Sequence, residues 1–353
     1  MSKRYLFTML IALAVTAEQT AFAKQPYRMG TTTANFLEIG VGGAGIAMGD
    51  AYVASARDMS AIYWNPAGLA LIRNNEAMFM YQPWVVDVNT MFVGAALSFP
   101  TIGTIGLGIF GMNYGNIDVT TLEYQQGTGE QYTAYDYNFN LTYARSLVTW
   151  FSFGASAKYI SSKIWHTSAS ALAVDLGVLV QTPFFSPTGE AEEGMKIAMS
   201  ISNYGGRMRY DGIDLLFPVD MDPSADGNYQ NLQAKYKMSD WELPLIFRVG
   251  MAVNPIVKRN HRLTFEVDAL HPNNMSESIN LGAEYTFIVP GFGNFSLRGG
   301  YKGLFLVESN YGPTFGAGVK YYLSPSRAFS IDYAYRTLGV LGNVHCTSLG
   351  VAF

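Results

Sequence analysis

The residues with the most chemical promise lie between Gly40 and Gly68. Gly40-Val41-Gly42-Gly43-Ala44-Gly45 matches the spacing G-x-G-x-x-G, which at the head of a βαβ unit cradles a dinucleotide pyrophosphate on backbone N–H groups. No alternating parallel α/β pattern encloses the motif, and no acidic residue stands about 20 positions on in a following strand. Close backbone packing is the simpler reason for so many glycines and alanines. The acidic run Asp220-Met221-Asp222-Pro223-Ser224-Ala225-Asp226-Gly227 resembles a calcium loop, but its glycine is displaced and its closing glutamate is missing. His166, His261, His271 and His345 lack metal-ligand spacing, and no serine and histidine stand out as a pair. The sequence therefore proposes no enzyme, no metal site and no cofactor.

Composition explains why chemistry is scarce. Of 353 residues, 14% are charged and 49% hydrophobic, whereas soluble domains carry about 25% charged residues. The 36 glycines and 23 tyrosines favour strands and turns. A net charge of -4 provides no basic face for phosphate neutralisation, so nucleic acid is not an expected partner. The N-terminus has three-part secretory patterning: Lys3 and Arg4, an apolar run from Tyr5 to Val15, and Ala21-Phe22-Ala23 as a cleavage site. Residues 1–23 are thus expected to be a signal peptide and Lys24 the first mature residue. Cys346 is the single cysteine, so an internal disulfide is excluded.

From about Glu76 the chain falls into stretches of roughly ten residues with apolar and small or polar residues alternating, the pattern of a transmembrane β-barrel. Ile279-Leu281-Ala283-Tyr285-Phe287 alternates with Ser278-Asn280-Gly282-Glu284-Thr286. About 14 antiparallel strands are expected, near 76–84, 91–99, 104–113, 135–146, 150–163, 169–181, 195–204, 244–254, 261–270, 277–288, 293–302, 313–323, 326–336 and 343–353. An even count lets both termini lie in the periplasm, with the long connections 114–134 and 205–243 outside. The connection 182–194 is long for the periplasmic side. Trp84, Trp150, Trp165 and Trp241 fall near strand ends, where interfacial aromatic girdles belong. The chain ends on Phe353 after Leu349 and Val351.

Alternation also assigns faces. Arg248, Glu266, Asp268, Glu284, Arg298, Lys302, Lys320, Asp332 and Arg336 point into the lumen, with Lys158 and Asp175 earlier in the chain. Their mixed signs favour mutual pairing over an ion-selective ring. Strands two and three direct Phe92, Phe110 and Met112 inward, an apolar wall suited to an amphipathic molecule. Gly106, Gly108 and Gly111 weaken the third strand, and glycines in strand interiors often mark bulges or bends. An opening of the wall towards lipid is expected there.

Residues 36 to 70, FLEIGVGGAGIAMGDAYVASARDMSAIYWNPAGLA, resemble the N-terminal signature of the PorV/PorQ group within the FadL-like outer-membrane proteins. HPNNMSESINLGAEYTF, FSLRGGYK and IDYAYRTLGVLGNVHCTSLGVAF resemble it too. The sharpest element is Trp64-Asn65-Pro66-Ala67. Gly43-Ala44-Gly45 stands where relatives often carry an arginine. The resemblance implies an outer-membrane barrel, residues 73–353, whose N-terminal residues 24–72 form a Gly/Ala-rich hatch with a short helix plugging the lumen. Gly40, Gly42, Gly45, Gly49, Trp64, Asn65, Pro66 and Ala67 are its motif, with Asn65 fixing the turn into the first strand. The ending at Phe353 resembles the signal read by the barrel assembly machinery. Lipid bilayer and lipopolysaccharide are the expected surroundings. Two functions follow from the resemblance. One is passive passage of a hydrophobic or amphipathic small molecule in the manner of FadL; the other is a PorV-like platform working with secretion-system components in protein secretion or cargo attachment.

Overall fold

The structure, a computed structural model, describes residues 28–222, 224, 232–306 and 309–353. The expected signal peptide lies outside the described residues, as does part of the acidic run after Asp222. Fourteen antiparallel strands close on themselves. They are β1 (Glu76–Pro83), β2 (Asn89–Phe99), β3 (Gly103–Asp118), β4 (Gln131–Val148), β5 (Phe151–Ile164), β6 (Thr167–Gln181) and β7 (Lys196–Gly205), then β11 (Ile246–Val257), β12 (His261–Pro272), β13 (Ser278–Val289), β14 (Gly293–Leu304), β15 (Pro313–Ser324), β16 (Arg327–Thr337) and β17 (Asn343–Ala352). Closure is made by β1 against β17, from Glu76↔Ala352 to Tyr81↔Thr347. Each expected strand is present, and several run longer at the outer end. Closed pairing satisfies every ladder in hydrocarbon, where an open edge would be costly.

Side chains obey the two-residue period. Leu107, Leu141, Leu172, Leu297 and Ile331 face outward, while Thr142, Ser156, Asn280 and Ser348 are buried in the lumen. The connection 182–194 joins neighbouring strands at the same end as the short turns. It folds over that mouth, with Glu193 paired to Arg262 and Glu192 to Arg73. Its length is used to cover the periplasmic opening.

The outer connection between β7 and β11 carries three short strands not visible in the alternation. They are β8 (Asp211–Gly212), which extends the pairing of β6, and β9 (Leu216–Val219) with β10 (Leu232–Lys235), a separate two-stranded ribbon.

Two expectations change. The N-terminal part of the described chain lies at the outer end: Thr33 N donates to Glu242 O at 3.0 Å, and Arg28 pairs with Glu242 at 3.5 Å, just before the outer end of β11. The segment threads the lumen and emerges at Asn75, whose carbonyl accepts Phe353 N at 2.9 Å. Strand parity fixed the side on which β1 starts, but the hatch adds a further crossing. Trp84 lines the outer cavity instead of a lipid-facing girdle, because it follows in phase the inward-facing Met80 and Gln82 of β1. Trp150, Trp165 and Trp241 remain exposed.

The third strand is also regular. It pairs with β2 without a break from Phe99↔Gly103 to Asn89↔Asn113, and with β4 from Thr104↔Ala144 to Asn113↔Tyr135. Gly106, Gly108 and Gly111 therefore mark no opening to lipid. A Cβ on Gly106 would come within 2.9 Å of Leu69, and one on Gly108 within 3.0 Å of Phe92. On the outer face Gly111 is covered by the Tyr137 ring. The glycines make room for the hatch and for aromatic rings.

Candidate functional site

The hatch is built from short pieces because its job is close packing. Helices Gly43–Ala47 and Ala61–Trp64 and the 3-10 turn Pro66–Leu71 are each too short to persist alone in water. Burial holds them, with Ala47, Ala51, Ala61, Ile62, Ala67 and Leu69 entirely inaccessible. Trp64 is the central anchor. Its indole donates to Val41 O at 2.8 Å and lies over Gly45, where a Cβ would come within 2.7 Å of the ring; Gly40 meets the same ring. Gly42 and Gly49 turn the chain at φ 88° and 68°.

Asn65 fixes the elbow before the first strand. Its side-chain amide donates to Val53 O and Val178 O, both at 3.1 Å, and its carbonyl caps the 3-10 turn through Ala67 N at 3.1 Å. Pro66 begins that turn, where a missing N–H costs nothing. On the barrel wall, Gly154 and Gly177 leave the space that Pro66 and Asn65 fill.

The lumen charges divide into three sets. Asp50 of the hatch takes Lys302 at 2.6 Å and Arg336 on its other oxygen. Asp268 accepts the backbone N–H groups of Tyr52 at 2.8 Å and Val53 at 3.0 Å, and Glu266 accepts Ala54 N at 2.6 Å and the Ser55 hydroxyl. Arg298 bridges Glu284 at 2.5 Å and Asp332 at 2.6 Å. Wall charges pair with one another in the third set and again at Lys158–Asp175; the first two sets bind the hatch. Arg248 donates to Ser202 at 2.9 Å and lies over the Tyr63 ring. Lys320 sits nearer the periplasmic mouth, 3.8 Å from Glu76. Lys158 and Asp175 pair at 2.5 Å, buried, where an extra residue in β7, with Asn203 at φ 65°, lets Asn203 N reach Asp175 at 2.7 Å.

The apolar wall is occupied. Phe92 and Phe110 are buried in the core that the hatch fills, and Phe36 stacks on Phe110 at 5.9 Å between ring centres. Met112 alone of the three borders open space. Cavities remain at either end: about 480 Å³ outside, floored by Thr32–Ile39, and about 750 Å³ on the periplasmic side, lined by charged side chains including Arg57, Glu193, Arg298 and Lys320. The two share no lining residue.

Alternation failed to single out Asp50 and Glu38. The signal was available: they are acids in a segment otherwise almost free of charge, and a charge buried among glycines needs a partner.

The chain's residues 22–222 match the family profile described as Type IX secretion system protein PorV, a span of more than half its length. The chain belongs to the PorV family. Among solved structures, the PorV-family chain is similar to the P. putida toluene transporter TodX, with 10% identity, a TM-score of 0.52 and coverage of 88% of this chain and 96% of that one. It is similar to the CymD monoaromatic hydrocarbon channel at 11% identity and TM-score 0.55, covering 89% and 98%. A Pseudomonas aeruginosa FadL homologue shares 11% identity at TM-score 0.51, covering 93% and 99%. At such identities the likeness is one of fold. A sequence comparison with curated proteins returns no match. Family and barrel together place this PorV-family chain in the outer membrane of a Gram-negative-type bacterium.

Proposed function

We propose that this PorV-family barrel is an outer-membrane platform for protein secretion or cargo attachment, with no transport and no catalysis of its own. The observation that carries this reading is the filled lumen. The hatch crosses it from Thr32 to Asn75, with residues 40–54 and 59–62 buried across the lumen, and is tied to the wall by Asp50, Asn65 and the carboxylates of Glu266 and Asp268. Passive passage of a hydrophobic molecule would require those buried polar ties to break in each cycle, and breaking buried charged contacts is expensive.

The outer connection supplies surface for a partner. Ile213, Met221 and Tyr236 are exposed there, beyond the barrel strands, while Phe217 stacks on Tyr236 at 4.2 Å. The PorV family description names the secretion system that would supply the partner.

The test compares the tagged chain with a variant in which residues 206–242 are replaced by a short Gly/Ser linker, each cross-linked in intact cells. Secretion-system components captured by the full chain and lost from the variant support the platform. A chain that captures none, yet admits a hydrophobic solute into proteoliposomes, overturns it in favour of a FadL-like channel.

A further inference from the structure

The outer cavity has a chemistry that the platform reading does not use. Its volume is about 480 Å³, within the range of pockets for small organic ligands. Aromatic rings line much of it: Trp84, Tyr114, Tyr210 and Tyr311 stand in the wall and Phe36 rises from the hatch. Two carboxylates, Glu38 and Asp136, face the same space.

Both acids accept hydrogen bonds from neutral groups, and Glu38 also shares a small inner cavity with Lys302 and Arg248. The Asp136 carboxylate accepts the Tyr114 hydroxyl at 2.6 Å, and Glu38 accepts the side-chain amide of Asn274 at 2.7 Å. The cation bordering the cavity is already engaged: Lys302 pairs with Asp50 at 2.6 Å and places its ammonium 4.1 Å from the centre of the Tyr311 ring. That contact shows how the cavity's rings receive a cation. Asp136 is buried beside Tyr114 and Ser162, and Glu38 shares its cations with Asp50; a carboxylate withdrawn from water with little counter-charge is costly. Aromatic faces attract ammonium and guanidinium groups most strongly when water is excluded. Ring faces and acids therefore converge on one kind of guest.

We propose that the outer cavity is a binding site for an organic cation, an ammonium or guanidinium group carried on an apolar or aromatic frame. The cation lies against Glu38 and Asp136, and the frame packs between Trp84, Tyr114 and Tyr311. The site stands whether or not the barrel is a secretion platform, because it uses the vestibule above the hatch and requires no passage through it.

The experiment is calorimetric titration of the purified full-length mature chain in detergent with phenethylamine, 2-phenylethanol and phenylacetate, which share a frame and differ in charge. Phenethylamine binds saturably and at least tenfold more tightly than the other two. Glu38→Gln and Asp136→Asn each weaken it by about tenfold, the effect of removing one charged hydrogen-bonding partner. Heat-modifiable gel mobility confirms that each variant is folded, and Tyr311→Leu, which leaves both acids in place, weakens binding about threefold. A peptide with a single lysine, compared with its acetyl-lysine form, shows whether a polypeptide side chain also supplies the cation; the free amine alone satisfies the proposal. Equal affinity for the three probes, no binding of phenethylamine, or unchanged affinity in the Glu38→Gln/Asp136→Asn double variant overturns the assignment.

Discussion

Asp50 of the hatch and Lys302 of β14 meet at 2.6 Å, a pairing across the lumen between residues 252 positions apart in the chain. Arg336 takes the other oxygen of the same carboxylate, and Asn280 donates to the Asp50 carbonyl at 3.2 Å. One acid thus neutralises two buried cations and ties the hatch to three strands. Asp50→Ala leaves both cations buried without their partner, which costs about 3–5 kcal/mol. Urea unfolding in detergent micelles checks the loss, and trypsin should reach Arg57 in the variant before the barrel itself unfolds.

The elbow at Asn65 predicts a second, separate loss. Asn65→Ala removes three hydrogen bonds, among them its buried donations to Val53 O and Val178 O, a cost of about 2–4 kcal/mol. Gly177→Ala acts at the same place from the wall side, because its Cβ would overlap the Asn65 carboxamide. The two changes share one contact, so combining them should cost less than their sum. Equilibrium unfolding of the two single variants and the double variant measures this.

Gly106 tests the closed third strand. With a Cβ within 2.9 Å of Leu69 and 3.1 Å of Ile62, Gly106→Val overpacks the hatch and costs about 1–3 kcal/mol. The cost should fall when Leu69→Ala is added to make room. An outcome in which Leu69→Ala gives no rescue would point away from hatch packing.

The outer connection has its own tether. Asp214 accepts His166 N at 3.0 Å, His166 Nδ1 at 2.9 Å and Thr167 Oγ1 at 3.3 Å. Burial of the carboxyl opposes ionisation, but these bonds outweigh it and hold Asp214 below its usual 3.8. A depressed carboxyl stabilises the docked connection above that ordinary value and loses the contribution as pH falls through the lower, folded value. Protease sensitivity of residues 205–222 should stay flat from pH 7 down to 3.8 and rise only below it. Asp214→Asn should raise the sensitivity already at pH 7 and remove the rise below 3.8.

The barrel was legible in the sequence because its period is local. Ile279 through Phe287 reveals its face without reference to any other strand, and each of the 14 expected strands is present. The partners of lumen charges were not legible. Asp268 serves the backbone of Tyr52 and Val53, more than 200 residues away, and alternation gives a direction without a partner. Backbone N–H acceptance leaves no complementary side chain to find. Trp84 is a different case: it stands in phase with the inward-facing Met80 and Gln82, so the alternation of β1 already pointed it into the vestibule. The third-strand glycines were visible, but glycine next to an unseen hatch has the same signature as glycine at a bend.

The platform account depends most on a hatch that does not move. Gly43→Cys and Asp332→Cys would place their Cβ atoms about 3.2 Å apart, close to the disulfide range, and would join the hatch to β16 covalently. The decisive measurement is capture of secretion components and delivery of cargo by this double variant with the bridge formed, compared with the same variant reduced. The account predicts that both are equal in the two states. Loss of capture and delivery on oxidation, with recovery on reduction, would contradict it and show that the hatch must open.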